Sequence, residues 1–110
     1  MDLAAIPWRT TRYPGIRIHF YVVDQRSGRA LVLIEMAPGH GYPRHRHRGA
    51  EEVLVVQGAY RDEAGEHPAG QFVSYADGTV HTPVALDGSP EPCVLLALAH
   101  EGISLLAGAS

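Results

Sequence analysis

The sequence predicts an all-β domain, a sandwich or a barrel, and three features support this fold class. Short runs rich in β-branched and aromatic residues recur along the chain. Clusters of Gly, Pro and Asp separate these runs. No segment sustains the apolar period of an amphipathic helix. The 110 residues, 45% hydrophobic and 19% charged, have the size and composition of one globular domain, so residues 1–110 are predicted to form a single domain.

The predicted elements follow one another with short connections. Residues 1–15 form an arm that carries Trp8 and precedes the first strand. Polar turns are predicted at 24–28, 62–65 and 76–78, because Asp and Gly favour turn conformations. The predicted strands cover residues 17–23, 30–37, the extended part of 39–58, 70–75, 79–86, 93–100 and 103–106, with a hairpin at 59–67 and a loop at 87–92.

Charge and cysteine usage exclude several classes of protein. A net charge of -3 argues against nonspecific binding to nucleic acid or to anionic membranes. The single cysteine, Cys93, excludes an internal disulfide framework and a cysteine-rich zinc finger, and its apolar surroundings predict a small buried side chain. The N-terminus does not resemble a signal peptide, and no apolar run is long enough to span a bilayer. We therefore expect a soluble, cytoplasmic protein.

Candidate metal ligands lie in the segment 39–58. Side chains alternate between the two faces of an extended segment, so His45, His47 and Glu51 are expected on one face of one strand. The same face continues into Val53 and Val55, which predicts that it is buried. Buried imidazoles and a carboxylate need a partner that satisfies them. A divalent metal ion is the simplest such partner.

The same segment carries the first sequence motif of the cupins. That motif is a Gly, five residues, a His, one residue, a His, three or four residues, a Glu, six residues and a Gly. Every fixed position is matched, by Gly39, His45, His47, Glu51 and Gly58. The chain thus resembles the cupin superfamily, and the resemblance implies a single-domain jelly-roll β-barrel, also called a double-stranded β-helix.

The second cupin motif is matched in part. Gly70, Gly78 and His81 occupy its positions, while Ala76 replaces a proline and Ala85 an asparagine. The His at this place is the motif's metal ligand. The two motifs together span close to half of the chain.

Within the cupins, the chain resembles the ChrR-like group. The features that carry this likeness are the paired acids Glu51 and Glu52, the segment YRDEAGEHPAGQF and the opening PGIRIHFYVVDQRSG. The group includes the zinc-binding cupin domain of ChrR-type anti-sigma factors and small diketone and aromatic-ketone dioxygenases. The resemblance implies that His45, His47, Glu51 and His81 are the metal ligands. Alternation along the strand points Glu52 away from them.

One divalent transition metal ion is expected, because imidazole and carboxylate suit first-row metals such as Fe, Mn and Zn, with Ni or Co admissible. Three imidazoles and one carboxylate around a divalent ion give a net charge of +1. Octahedral coordination leaves positions open for substrate and dioxygen. Tetrahedral coordination saturates zinc and makes a closed structural or sensing site. The ligands alone do not decide between these geometries.

Three functions follow from these options. The preferred hypothesis is a mononuclear non-haem dioxygenase, using Fe or Mn, that acts on a small diketone or hydroxyketone. The second is a zinc-binding regulatory or sensor module that acts through a partner protein without catalysis. The third is a small-molecule isomerase or lyase, in which Glu51 moves protons. Cupin jelly rolls often pair through sheet edges, so the resemblance also implies a homodimer.

Other polar and aromatic residues are interpreted as structural. Of the remaining histidines, His40 and His67 are expected at the surface, and the solvent face is favoured for His19 and His100 although either face of a strand is open to them. The arginines that alternate with the histidines are expected on a solvated strand face; they are Arg44, Arg46 and Arg48. Core packing is preferred over a substrate pocket for four aromatic residues, Trp8, Tyr42, Phe72 and Tyr75.

Overall fold

Twelve β-strands and one 3-10 helix form the part of the chain that the structure, a computed structural model, describes: residues 1–106. The helix, Leu3–Ala5, belongs to the N-terminal arm, where the Trp8 indole donates a hydrogen bond to the Leu3 carbonyl. The strands are β1 Arg9–Thr10, β2 Ile16–Asp24, β3 Arg29–Met36, β4 His45–His47, β5 Glu51–Gln57, β6 Ala59–Asp62, β7 Gly65–Pro68, β8 Phe72–Tyr75, β9 Val80–His81, β10 Val84–Ala85, β11 Cys93–Ala99 and β12 Ile103–Leu105.

Antiparallel pairing joins these strands into three sheets, which confirms the predicted all-β class. The largest sheet has six strands in the order β1-β2-β3-β11-β5-β8. The two smaller sheets have three strands each, in the orders β10-β6-β7 and β12-β4-β9. The late strand β11 lies between β3 and β5, so the chain closes its main sheet only near its end. Such non-local pairing is typical of jelly rolls.

The core lies on the inner face of the six-stranded sheet. Alternate residues of β3, β5 and β11 point inward because the side-chain period of a strand is two residues. Val53 and Val55 are buried, as predicted, and they pair with Ala97 and Leu95 of β11. Cys93 is also buried and free, which confirms its predicted role as a small apolar side chain.

Two predicted strands are broken in the structure. The segment 39–58 forms β4 and β5 in different sheets, so the prediction that one strand carries His45, His47 and Glu51 is wrong. Gly49 lies at the bend between them with φ of 76°, a conformation that favours glycine. The predicted strand 79–86 divides into β9 and β10, because Pro83 lacks the N–H that a continuous ladder needs.

The predicted hairpin at 59–67 forms as β6 and β7, with Asp62 opposite Gly65. Two burial predictions within and after it are wrong, the exposed position of His67 and the core position of Phe72. His67 is only 7% exposed, since it pairs with the buried Tyr60 across the hairpin. Phe72 is 63% exposed instead of lying in the core, because it pairs with Leu54 on the outer face of the main sheet.

The outer edge of β2 is only partly covered. The short β1 pairs with Arg17 and Ile18 alone. Beyond them, residues 19–24 have β3 on one side and no strand on the other among the described residues. Phe20, Tyr21, Val22 and Val23 are exposed along this edge. Between residues 1 and 106, no helix combines the length and apolar character needed to cross a membrane.

Candidate metal centre

Three buried imidazoles converge inside the barrel. His45 and His47 lie two residues apart on β4 and therefore share a face, and β9 places His81 directly opposite His45. The exposed fractions of His45, His47 and His81 are 5%, 1% and 5%. The Nε2 atom of His45 lies 3.2 Å from Nε2 of His47 and 3.0 Å from Nε2 of His81. These three rings form one cluster whose ring nitrogens lie within 4.8 Å of one another.

The hydrogen bonds of two rings fix where their lone pairs point. His45 Nδ1 lies 2.8 Å from the Pro43 carbonyl oxygen, and His81 Nδ1 lies 2.9 Å from Asp62 Oδ2. Both oxygens only accept hydrogen bonds, so both Nδ1 atoms carry the proton. In a neutral imidazole the lone pair is then on Nε2. Two lone pairs therefore face each other across 3.0 Å.

A cation between the rings resolves this repulsion, and ring protonation does so poorly. Burial of the ring lowers the pKa of His45 to about 4, although the hydrogen bond to Pro43 opposes the shift. Burial also lowers the pKa of His81, against the effect of Asp62. Both rings are thus neutral at pH 7. Neutral imidazoles with convergent Nε2 atoms are the donor set that first-row divalent metals prefer, so the residues fit such an ion.

His47 is held mainly by packing. Its ring lies against the rings of Tyr75 and His81, with centroids 4.9 Å and 4.7 Å away. Its Nδ1 is buried and has no hydrogen-bond partner among the described residues. The polar contacts of the His47 ring are therefore made through Nε2, which lies 3.2 Å from Nε2 of His45 and 3.3 Å from Oε1 of Glu51.

Glu51 approaches the cluster from β5. Its Oε1 lies 3.3 Å from Nε2 of His47, and its side chain lines the same cavity as His45 and His81. The neighbouring acid, Glu52, points the other way and accepts a hydrogen bond from His100 at 2.6 Å. The structure thus brings all four sequence-predicted site residues together, although Glu51 makes its contact through His47.

Asp62 is a site residue that the sequence analysis missed. Its buried carboxylate accepts hydrogen bonds from His81 Nδ1, His67 Nε2, the Tyr75 hydroxyl and the Ala64 N–H. Burial raises the pKa of a carboxyl, but these hydrogen bonds outweigh it and lower the pKa of Asp62 to about 2. The carboxylate is therefore ionised and fixes the orientation of His81. The sequence feature that could have identified Asp62 is its position two residues after Tyr60, which puts both side chains on the inward face of β6.

A chain of hydrogen bonds leads away from this carboxylate. Tyr75 donates to Asp62 at 2.6 Å, so its oxygen accepts from the Tyr60 hydroxyl at 2.5 Å. On the other side, His67 Nδ1 lies 2.6 Å from the Gln71 side-chain oxygen. This network links Asp62 of β6 to His67 of β7 within the hairpin and to Tyr75 of β8 in the main sheet.

A cavity of about 200 Å³ opens beside the imidazoles. Its polar lining comes from His45, Glu51 and His81, with the rings of Tyr42 and Tyr60 nearby. Tyr42 packs edge-on against His45 at a centroid distance of 5.5 Å, so it belongs to the site as well as to the core margin. The rest of the lining is apolar and comes from β2, β3, β5, β11 and β12.

The remaining predictions about polar residues hold. His40 is exposed, and His19 and His100 do not line the cavity. The three arginines that alternate with the histidines are also exposed; they are Arg44, Arg46 and Arg48. Among the four aromatic residues, Tyr75 is buried and Trp8 is partly buried.

Comparisons with known proteins agree with this architecture. The anti-sigma-E factor ChrR of Cereibacter sphaeroides is 36% identical over 96 residues, which cover 86% of this chain and 42% of that protein. The crystal structure of Rhodobacter sphaeroides SigE in complex with the anti-sigma ChrR superimposes with a TM-score of 0.76 at 34% identity, covering 88% of this chain and 50% of the ChrR chain. This chain thus spans about half of these relatives or less.

A more distant likeness concerns the fold alone. An acetylacetone dioxygenase from Acinetobacter johnsonii superimposes with a TM-score of 0.74 at 12% identity, over 87% of this chain and 67% of that one.

The family model described as the ChrR cupin-like domain matches residues 1–101. The protein therefore belongs to the ChrR cupin-like family of the cupin superfamily.

Proposed function

We propose that this protein is a metal-binding regulatory module of the ChrR kind, which holds one divalent ion and acts through a partner protein. The observation that carries the proposal is its 36% identity to an anti-sigma-E factor over 86% of the chain. The partner class is that of the ChrR complex, a sigma factor. Zinc is the proposed metal, because four nitrogen and oxygen ligands saturate zinc in tetrahedral geometry.

The proposed ligands are Nε2 of His45, His47 and His81 and a carboxylate oxygen of Glu51. The facing lone pairs of His45 and His81, at 3.0 Å, support the imidazole part of this set. The 3.3 Å contact between Glu51 Oε1 and His47 Nε2 supports the carboxylate. When bound, the ion would supply a Lewis-acid centre of net charge +1 at the end of the cavity.

The surrounding residues hold this ligand set in place. The Pro43 carbonyl and the Asp62 carboxylate each hold an Nδ1 proton and so direct Nε2 of His45 and His81 to a common point. Tyr75 and His67 in turn hold Asp62. Orientation by such partners raises metal affinity without adding ligands.

A second candidate function is the dioxygenase favoured by the sequence. The apolar cavity beside the imidazoles supports it, because a dry pocket next to an open coordination position suits a small diketone or hydroxyketone. An isomerase or lyase ranks third. Among the described residues that line the cavity, Glu51 is the one carboxylate, and it is already proposed as a ligand.

We also propose that the protein forms a homodimer through the free edge of β2. An apolar edge with unpaired backbone groups is a template for pairing with another strand. Phe20, Tyr21, Val22 and Val23 are exposed apolar residues there, and among residues 1–106 no strand pairs with this side of residues 19–24. Antiparallel pairing of two β2 strands about a two-fold axis would extend the main sheet across both chains.

The regulatory function predicts about one zinc ion per chain and no turnover. Protein purified without chelators or added metal should contain zinc by elemental analysis. Oxygen-electrode assays with diketones and hydroxyacetophenones should show no substrate-dependent oxygen uptake. Bound iron or manganese together with such uptake would instead establish the dioxygenase.

Replacing His47 by alanine should remove most of the bound metal, because it deletes one of the three convergent imidazoles. Metal per chain is measured by elemental analysis after dialysis. The matched control is His40→Ala, which removes an exposed imidazole from the preceding turn and should leave the stoichiometry unchanged. Equal metal content in both variants and the wild type would overturn the ligand assignment.

Replacing Asp62 by asparagine should weaken metal binding by about 10- to 100-fold, because the neutral amide no longer fixes the His81 tautomer. Affinity is measured by competition with a chromophoric chelator. Asp24→Asn, at an exposed turn, is the control. Circular dichroism of the metal-free proteins must match, so that a folding defect is recognised. Affinity within about twofold of wild type would show that Asp62 does not orient His81.

The β2-edge dimer predicts that Val22→Lys yields monomers, since a charge on an edge strand opposes pairing. Sedimentation equilibrium measures the mass. Phe72→Lys changes a similarly exposed apolar residue at the opposite edge of the same sheet and should remain dimeric. A monomeric wild type, or dissociation by the Phe72 variant alone, would contradict this interface.

A further inference from the structure

The cavity beside the candidate metal centre has one polar end and an apolar body. Its volume is about 200 Å³. His45, Glu51 and His81 form the polar end. The body is lined by apolar side chains of five strands, among them Ile18, Val32, Ile34, Val53, Leu95 and Ile103. The polar end and the apolar body therefore bind different parts of a ligand.

Small residues in register create this space. On the inward face of β3 and β11, Ala30 pairs with Ala99, and Val32 pairs with Ala97. Gly28 and Gly102 line the cavity beyond them. Methyl groups and glycines thus occupy positions where Leu or Phe would fill a barrel of this width. These small side chains leave the barrel interior unfilled, and the cavity extends from the imidazoles past the alanines.

The apolar body offers almost no hydrogen bonds to a ligand. Among the described residues that line the cavity, the side chains with polar atoms are His45, His81, Glu51, Tyr42 and Tyr60. A polyhydroxylated ligand would exchange its hydrogen bonds to water for contacts with methyl groups, which is unfavourable. A hydrocarbon body gains from the same transfer. The cavity therefore selects against sugars.

The polar end selects the head group. With a divalent ion held by three imidazoles and Glu51, the ligand set carries a net charge of +1, and the ionised Asp62 contacts His81 on the side away from the cavity, which it does not line. The charge that faces the cavity favours a single negative charge. Among the described residues, no Arg side chain lines the cavity to pair with a second negative charge on the ligand, and no carboxylate besides Glu51 lines it to pair with a positive one. A monoanionic head group matches this charge and can lie beside the saturated zinc without entering its ligand shell.

We propose that the cavity binds a small monocarboxylate with an apolar body, its carboxylate at the metal end and its hydrocarbon along the alanine-lined wall. This inference rests on the proposed metal site and adds the ligand class that the module would sense. A cavity of about 150 Å³ accommodates benzene. By proportion, the 200 Å³ here accommodates about eight non-hydrogen atoms, the size of hexanoate.

The test uses the zinc-loaded wild-type protein, whose zinc content is measured first. Isothermal titration with butanoate, pentanoate and hexanoate should give affinities that rise about fourfold per methylene. Octanoate should gain less per methylene, because the cavity is then full. Gluconate, a polyhydroxylated carboxylate, should bind at least about tenfold more weakly than hexanoate. Equal affinities along the series, or gluconate as tight as hexanoate, would overturn the inference.

A cavity-filling variant separates the ligand site from the metal site. Ala97→Leu should lower hexanoate affinity at least about tenfold while zinc per chain stays unchanged. Ala99→Phe, at a less buried place on the same wall, is the second variant if the first misfolds. Leu98→Phe changes the next residue on the opposite face and should bind hexanoate normally. Undiminished binding by both filled variants would place the ligand elsewhere.

The two proposals fail in different ways. Protein that retains no zinc would overturn the proposed function and the role given to the head group. Protein that retains zinc but shows no dependence on chain length would overturn the ligand class alone. Loss of zinc in Ala97→Leu would show that the wall supports the metal site instead of a separate ligand space.

Discussion

The repulsion between two buried lone pairs is the constraint on which the site depends. His45 and His81 each donate a hydrogen bond from Nδ1 to an oxygen that can only accept. Their Nε2 atoms therefore carry the lone pairs, and these atoms face each other 3.0 Å apart. Burial keeps both rings neutral, since it lowers their pKa values. A protein interior tolerates this arrangement when a cation shares the lone pairs. The architecture around the rings is consistent with holding such an ion.

The fold meets this constraint by joining distant parts of the chain. The ladder between β4 and β9 sets His45 opposite His81, thirty-six residues later. The hairpin of β6 and β7 then turns Asp62 inward, beneath His81. These contacts lie in a barrel whose main sheet is completed by β11, between β3 and β5. Binding of an ion at the proposed site would for this reason be coupled to the stability of the fold.

The regulatory and enzymatic proposals share one site and differ in how its coordination is completed. A saturated tetrahedral ion would make the centre a structural or sensing element. An ion with open positions would expose it to whatever the cavity admits. The cavity admits apolar molecules in either case, because alanines and glycines leave the interior open along one wall. Under the regulatory proposal, the ligand bound in this cavity would be the signal that the module passes to its partner.

The sequence by itself determined the fold class, the buried Val53 and Val55, and the four residues that converge on the site. It could do so because alternation along a strand is local and motif spacing is fixed. Only the tertiary structure decided that Glu51 belongs to a different strand from the histidines. It also decided that the side chains of Asp62 and His67 are buried, with Asp62 hydrogen-bonded to both His81 and His67. Whether a hairpin residue is buried depends on which sheet covers it. That is a property of long-range pairing, which no short stretch of residues encodes.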